Sequence, residues 1–183
     1  MRGAPLSYIV VIAGIVIFAS HMAAGRIFLT PEKMPRGMLL ILLLSVSGLL
    51  SFIYFTTGQP HSGWMLLAAL ALLLGSAALF AWTIKSIGSH SLNMAFVDFE
   101  PAGLLTRGAF HYIRHPLYLA YILYWIGATA ASMHWSTFLI GLALVILYVA
   151  AARREENIFL ASELAGAYHH YQKRAGFLCP CLL

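Results

Sequence analysis

Two short polar blocks in this chain hold residue types that can bind and orient a small charged molecule. The first, Arg107-Gly108-Ala109-Phe110-His111-Tyr112-Ile113-Arg114-His115-Pro116-Leu117-Tyr118, stands directly before a long run without charged side chains. Pro116 suits the first turn of a helix, where its missing N–H costs nothing, and it pushes residue 115 out of helical geometry. Such a helix start offers backbone N–H groups with no partner inside the helix, together with the positive end of the dipole. With Arg114 and His115 beside it, the spot favours a carboxylate or phosphate. The plainer alternative is that Arg114 binds lipid phosphate and His115 caps the helix, and the motif alone does not separate the two. The second block, Arg153-Arg154-Glu155-Glu156, follows the last apolar run. Adjacent carboxylates repel each other, although the two arginines can neutralise them. Neighbouring residues on a helix diverge by about 100 degrees, so only one of Glu155 and Glu156 is expected to face a given pocket. A solvated charged face is the plainer reading of this block.

The elements that must position these blocks are membrane spans. The chain has 183 residues, of which 61% are hydrophobic and only 9% charged, against about 25% charged in soluble domains. Five runs are long and apolar enough to cross a bilayer: Leu6 to Leu29, Met38 to Thr57, Trp64 to Ile84, Leu117 to Ser132, and Trp135 to Ala152. About 20 residues cover the hydrocarbon core. The fourth run is short, and only Met133 and His134 separate it from the fifth, so these two predict a tight antiparallel hairpin. The first run is too long for the apolar region of a secretory signal and reads as a retained span. The expected fold is an all-α polytopic membrane protein with five transmembrane helices, a C-terminal helical hairpin and a cytoplasmic helical tail. It forms a single membrane domain over residues 1–183.

Basic residues alternate between the connections. Arg26, Lys33 and Arg36 flank the first, Lys85, Arg107 and Arg114 lie in the third, and Arg153, Arg154, Lys173 and Arg174 follow the last span, while the second and fourth connections carry none. This places the N-terminus outside and the C-terminus in the cytoplasm of a bacterial inner membrane. Both polar blocks then fall on the same side, where one shared site is possible. The net charge of +5 serves orientation and contact with membrane lipids, not nucleic acid. After Arg153 the tail reads as a continued helix to about Lys173, ended by Gly176 and Pro180. Tyr168 and Tyr171 with Lys173 and Arg174 look like an interfacial aromatic and basic anchor. The histidines at 21, 61, 90, 134, 169 and 170 have no metal-ligand spacing. Cys179 and Cys181 are too few for a disulfide framework, and Pro180 stands where a prenylation box needs its cysteine.

The two blocks together resemble the integral-membrane methyltransferases of the isoprenylcysteine carboxyl methyltransferase family, which includes phospholipid N-methyltransferase relatives. The first resemblance is Leu104-Leu105-Thr106-Arg107-Gly108-Ala109-Phe110 followed by Arg114-His115-Pro116-Leu117-Tyr118. The second is Glu155-Glu156, Leu160, Gly166, Tyr168-His169-His170-Tyr171, Lys173-Arg174 and Pro180. The resemblance covers residues 85–181, which would be the catalytic part, and implies transfer of a methyl group from S-adenosyl-L-methionine to a lipid-like or prenylated acceptor. It further implies a cofactor pocket lined by Ala102, Gly103, Leu104, Leu105, Phe110, His115, Pro116, Leu117, Tyr118, Glu155 and Glu156. Arg114, Glu156 and one of Arg153 and Arg154 would be catalytic. The chain departs from the pattern at Ala102, where histidine is common, at Phe110, where tyrosine is, and at Ala120, where glycine is. The family's substrate-contacting arginine falls near Ala152, so Arg153 or Arg154 must replace it. The spacing from Glu156 to Tyr168 matches the family and favours Glu156 as the inward carboxylate.

Physical chemistry agrees with that implication. The cofactor's carboxylate suits the helix start, Glu156 suits its ammonium, and an aromatic face such as Tyr118 suits its cationic centre. A carboxylate acceptor of prenylcysteine type needs no general base, whereas an amine must first lose a proton, with His111, His115 or a tyrosine as candidates. Two competing readings are an NADPH-dependent membrane reductase of sterol reductase type and a non-enzymatic scaffold or transport component. The first asks for more basic residues than Lys85, Arg107 and Arg114, and the second for a charge inside a span.

Overall fold

In hydrocarbon every backbone N–H and C=O needs a partner within the protein, so long apolar runs fold as helices. The computed structural model describes residues 4–23, 28–29, 35–88, 92–93, 101 and 103–180. Its helices are α1 (Ala4–Ala23), α2 (Arg36–Gly58), α3 (Gly63–Ile87), α4 (Pro116–Ser132), α5 (Trp135–Leu160) and α6 (Ala165–Gln172). A 3-10 turn covers Gly108–His111, and β1 (Phe28–Leu29) pairs in parallel with β2 (Leu92–Asn93). The protein is an all-α polytopic membrane protein in which α1, α2, α3 and α5 are each long and apolar enough to cross a bilayer. The fifth expected span, α4, has 17 residues, or about 25 Å, at the short limit for a crossing helix.

Two expected boundaries change. The first span was expected to reach Leu29, yet α1 ends at Ala23 and Phe28–Leu29 lie in the strand pair. Twenty residues already span about 30 Å, so the helix needs no further turn. The tail after Arg153 is two helices, not one. α5 continues to Leu160, and a turn then breaks the run before α6. Ser162 causes the break locally: its hydroxyl donates to the Phe159 carbonyl at 2.8 Å and accepts the Leu164 N–H at 3.2 Å. Such side-chain bonds to nearby backbone compete with the helical ladder.

α4 sits centrally, packed against α1, α2, α3 and α5. Lipid tails give no hydrophobic drive between helices, so close approach and internal hydrogen bonds must hold them. Gly127 on α4 lets α3 approach: a Cβ there would lie 3.2 Å from the Ala69 carbonyl oxygen. Gly48 on α2 receives the Trp125 ring, which a Cβ would meet at 2.6 Å. Ser51 on α2 bonds Ser136 and Thr137 on α5, each at 2.8 Å, and the Ser76 hydroxyl on α3 donates to the Ala120 carbonyl at 2.7 Å. Outward apolar side chains such as Ile12, Val16, Leu43, Leu50 and Leu67 are exposed and face lipid. The α4–α5 hairpin turns at Met133, in left-handed conformation with φ 46, and His134 Nδ1 accepts the Ser136 N–H to cap α5.

The third connection is anchored to the end of α3. Arg107 donates to the Ser86 and Ile87 carbonyls at 3.2 and 3.4 Å, satisfying acceptors that a helix C-terminus leaves open. Gly108, with φ 60, presses against Ser86 where a Cβ would collide, and the Ala109 N–H bonds the Ser86 hydroxyl at 3.0 Å. The 3-10 turn is thereby fixed on α3 and delivers Arg114 and His115 to the start of α4. Gly48→Leu should overpack the Trp125 contact and destabilise the bundle by about 1–3 kcal/mol, read as a lower Tm in detergent. Ser47→Leu, on the exposed face of the same helix, should leave Tm unchanged.

Candidate active site

The chain after α6 folds back beside the start of α4. Gly176 bridges Ile113, the Arg114 N–H bonds the Gly176 carbonyl at 2.8 Å, and the His115 N–H bonds that of Phe177 at 3.2 Å. Residue 115 has φ −123 and ψ 59, outside the helix as a pre-proline position demands, and its side chain makes no capping bond. His115 is thus the N-cap residue of α4 by position, and its carbonyl accepts the Leu119 N–H at 3.1 Å, but its ring does not cap the helix. Its ring turns instead toward the extension of α5.

There the two polar blocks meet. Arg114 Nε donates to Glu156 Oε1 at 2.7 Å, and Arg114 Nη1 donates to the carbonyls of Ala175 and Gln172 at 2.6 and 3.2 Å. His115 Nε2 lies 3.3 Å from Glu156 Oε1, while Nδ1 lies 3.6 Å from Glu155 Oε2. The Tyr118 hydroxyl donates to Glu155 Oε1. The expectation that only one of the adjacent carboxylates faces the pocket is thus overturned. Their side chains diverge along the helix, and the imidazole, with a nitrogen on each edge, fits between them. Glu156 is the more engaged of the pair, because Tyr168 also donates to Oε1 at 3.1 Å and Gln172 to Oε2 at 3.4 Å. Glu155 is the more open, with its side chain 26% exposed against 13% for Glu156.

This arrangement sets the state of the imidazole. Burial lowers the His115 pKa, but the hydrogen bonds and charges of Glu155 and Glu156 outweigh burial and hold it above 6.5. Protonated, the ring is a cation between two anions and is not a free base. Phe177 covers the other side of the pair, edge-on to His115 at 5.1 Å and 5.8 Å from the Arg114 guanidinium.

Around this centre, Pro116, Leu117 and Tyr118 are buried, and Leu117 packs with Phe80 and Ala120. Phe110 is buried and its carbonyl accepts the Tyr171 hydroxyl. Leu104 packs against Tyr168, Tyr171 and Ala175, Leu105 is half-buried and Gly103 exposed. Arg153 and Arg154 are exposed on α5. Ala102 lies outside the described residues. Tyr168 and Tyr171 are not an interfacial anchor: both are buried and turned inward. The inward contacts of these tyrosines and of Gln172 were not anticipated, although positions 168, 171 and 172 share one helix face. Phe177 carried no signal, because its role arises only when the tail returns to α4. An apolar groove of about 560 Å³ between α4 and α5, lined by Trp125, Thr129, His134, Phe138 and Val145, lies toward the hairpin tip and away from these charges.

The sequence pattern of phospholipid methyltransferases matches residues 64–165. The chain belongs to the phospholipid methyltransferase family. The matched stretch runs from α3 through α4 and α5 to the first residue of α6, and it contains both polar blocks that meet at His115. No curated protein sequence matches the chain significantly. Family membership and the apolar helices together make this an integral-membrane methyltransferase.

Two outcomes follow for this cluster. Arg114→Ala leaves the half-buried Glu156 without its shortest charged contact, and losing such a charge-assisted hydrogen bond costs about 1.5–3 kcal/mol, read as a fall in Tm. The unfolded imidazole titrates near about 6.5 and the folded one higher. His115 protonation therefore contributes stability that is fully present below pH 6.5 and is lost as pH rises through the raised value. Tm measured against pH should fall across that window, and His115→Gln should remove this part of the dependence.

Proposed function

We propose that this protein transfers the methyl group of S-adenosylmethionine to a lipid-borne acceptor arriving from the bilayer. The observation that carries this reading is the gathering of Glu155, Glu156 and the start of α4 around His115 at one end of a membrane bundle. The residues present fit the cofactor. The first backbone N–H groups of α4 suit its carboxylate, and the open edge of Glu155 suits its ammonium. Tyr118 gives an aromatic face for a cationic centre, while Gly103, Leu104 and Leu105 offer a mostly apolar edge. S-adenosylmethionine supplies an electrophilic methyl group on sulfonium.

The chain's own contribution is binding, orientation and exclusion of water, which in favourable cases lowers a barrier by about 7–11 kcal/mol. Arg114 and Tyr168 act through Glu156 and are positioning residues. Arg153 and Arg154 stand exposed one turn or less before the carboxylates and suit the anionic group of an acceptor. The site end of the bundle faces the cytoplasm of a bacterial inner membrane, where the cofactor is made, with the N-terminus outside.

The acceptor we favour is a carboxylate of prenylcysteine type. It needs no proton removed, and His115, held between two carboxylates, supplies no free base. An amine-bearing phospholipid is the second reading, supported by the family match itself. Glu155 would then take the proton. Radiolabelled methyl transfer to prenylcysteine, phosphatidylethanolamine and total lipid separates them: a methyl ester releases its label in base as volatile methanol, and an N-methyl group does not. Label that resists base would sink the carboxylate reading.

Glu155→Gln should weaken S-adenosylmethionine binding by about tenfold or more, roughly the loss of one charged contact. Calorimetric binding equal to that of the native protein would remove Glu155 from the pocket. His115→Ala should weaken binding more than His111→Ala, whose side chain is exposed; the reverse order would mean that the helix start is not the carboxylate site.

A further inference from the structure

We propose that the outward face of α6 docks on anionic phospholipid headgroups of the surrounding bilayer, and that this contact tightens the site on its inner face. The activity part rests on the function proposed above; the docking part does not. The two faces of α6 differ sharply. Tyr168, Tyr171 and Gln172 turn inward, to Glu156 and to the Phe110 carbonyl. His169 and His170 are exposed on the other side, and Lys173 and Arg174, which directly follow α6, are exposed as well.

Charge selects the occupant. Glu155 and Glu156 turn to His115 and Arg114, so from residue 157 to 180 the cations Lys173 and Arg174 meet Glu163 as the acidic residue among those described. No ion pair among the described residues involves Lys173 or Arg174. Their position selects a membrane surface. Through Tyr168, Tyr171 and Gln172, α6 is tied to residues 110, 114 and 156, at the level of the first turn of α4. That level is the headgroup layer, where juxtamembrane Lys and Arg bind anionic lipid.

The backbone supplies the coupling. Lys173 and Arg174 lie between Gln172 and Ala175, and both of those carbonyls accept from the Arg114 guanidinium. Arg114 in turn holds Glu156. Fixing the two cations on a lipid surface therefore fixes the acceptors that orient Arg114, and with it the carboxylate beside His115.

The test places the full chain in nanodiscs of phosphatidylcholine alone, or with about a third of the lipid replaced by phosphatidylglycerol. Tryptic cleavage after Lys173 and Arg174 is then followed by mass spectrometry. Cleavage should slow on the order of tenfold with phosphatidylglycerol, and the protection should fade at high salt. Equal cleavage in both discs overturns the docking surface. Equal protection by soluble glycerol phosphate in neutral discs also overturns it, in favour of a free-anion site. In parallel, phosphatidylglycerol should raise S-adenosylmethionine affinity severalfold in the native protein and not in Lys173→Gln/Arg174→Gln. Protection without that gain overturns the coupling. Protection in a protein that binds no S-adenosylmethionine in any disc supports the docking surface and overturns the proposed function instead.

Discussion

Charge at the edge of a bilayer is expensive unless partners compensate it, and this chain compensates it by joining three segments at one place. Arg114 and His115 come from the connection before α4, Glu155 and Glu156 from the extension of α5, and the Gln172 and Ala175 carbonyls from the tail. No segment satisfies its own polar groups. The α4 start needs the tail carbonyls for Arg114, the α5 carboxylates need the cations, and the tail finds its path along residues 112–115 only because those backbone groups lie open. The geometry that can hold a small charged molecule is thus the same geometry that closes this end of the molecule.

The membrane helices reach this joint through an aromatic column. Tyr118 bonds Glu155 and stacks on Tyr148 at 5.9 Å, and the Tyr148 hydroxyl lies 3.4 Å from Trp125 Nε1, whose ring fills the notch at Gly48. A position on α2 is therefore linked to the open carboxylate through rigid rings. α1 closes the other side of α4: His21 is buried among Phe80, Tyr121 and Tyr124 and lies 3.5 Å from Ser76. The first helices fall outside the stretch that matches the family, yet they pack directly against α4.

Much of this was legible in the order of residues. Runs of apolar side chains with no internal charge identify helices that cross a bilayer, because hydrocarbon admits few other backbones. Pro116 marks the start of α4, and the break of the apolar pattern at Met133–His134 marks the hairpin. The polar blocks were visible as candidates because charge at a span boundary asks for a partner. The family resemblance rests on the same residues. Less legible were the ends. The break at Ser162 depends on local bonds that periodicity does not reveal.

The sequence by itself determined the class of protein, the helix-forming runs and the two blocks that carry the chemistry, because composition and period are local properties of the chain. Only the tertiary structure decided that both carboxylates, not one, bracket His115, that Tyr168 and Tyr171 turn inward, and that Phe177 covers the pair. Those facts depend on how residues about 12 to 60 positions apart, on different elements, meet in space. Helical spacing orders neighbours within one helix and says nothing of which partner waits across the gap.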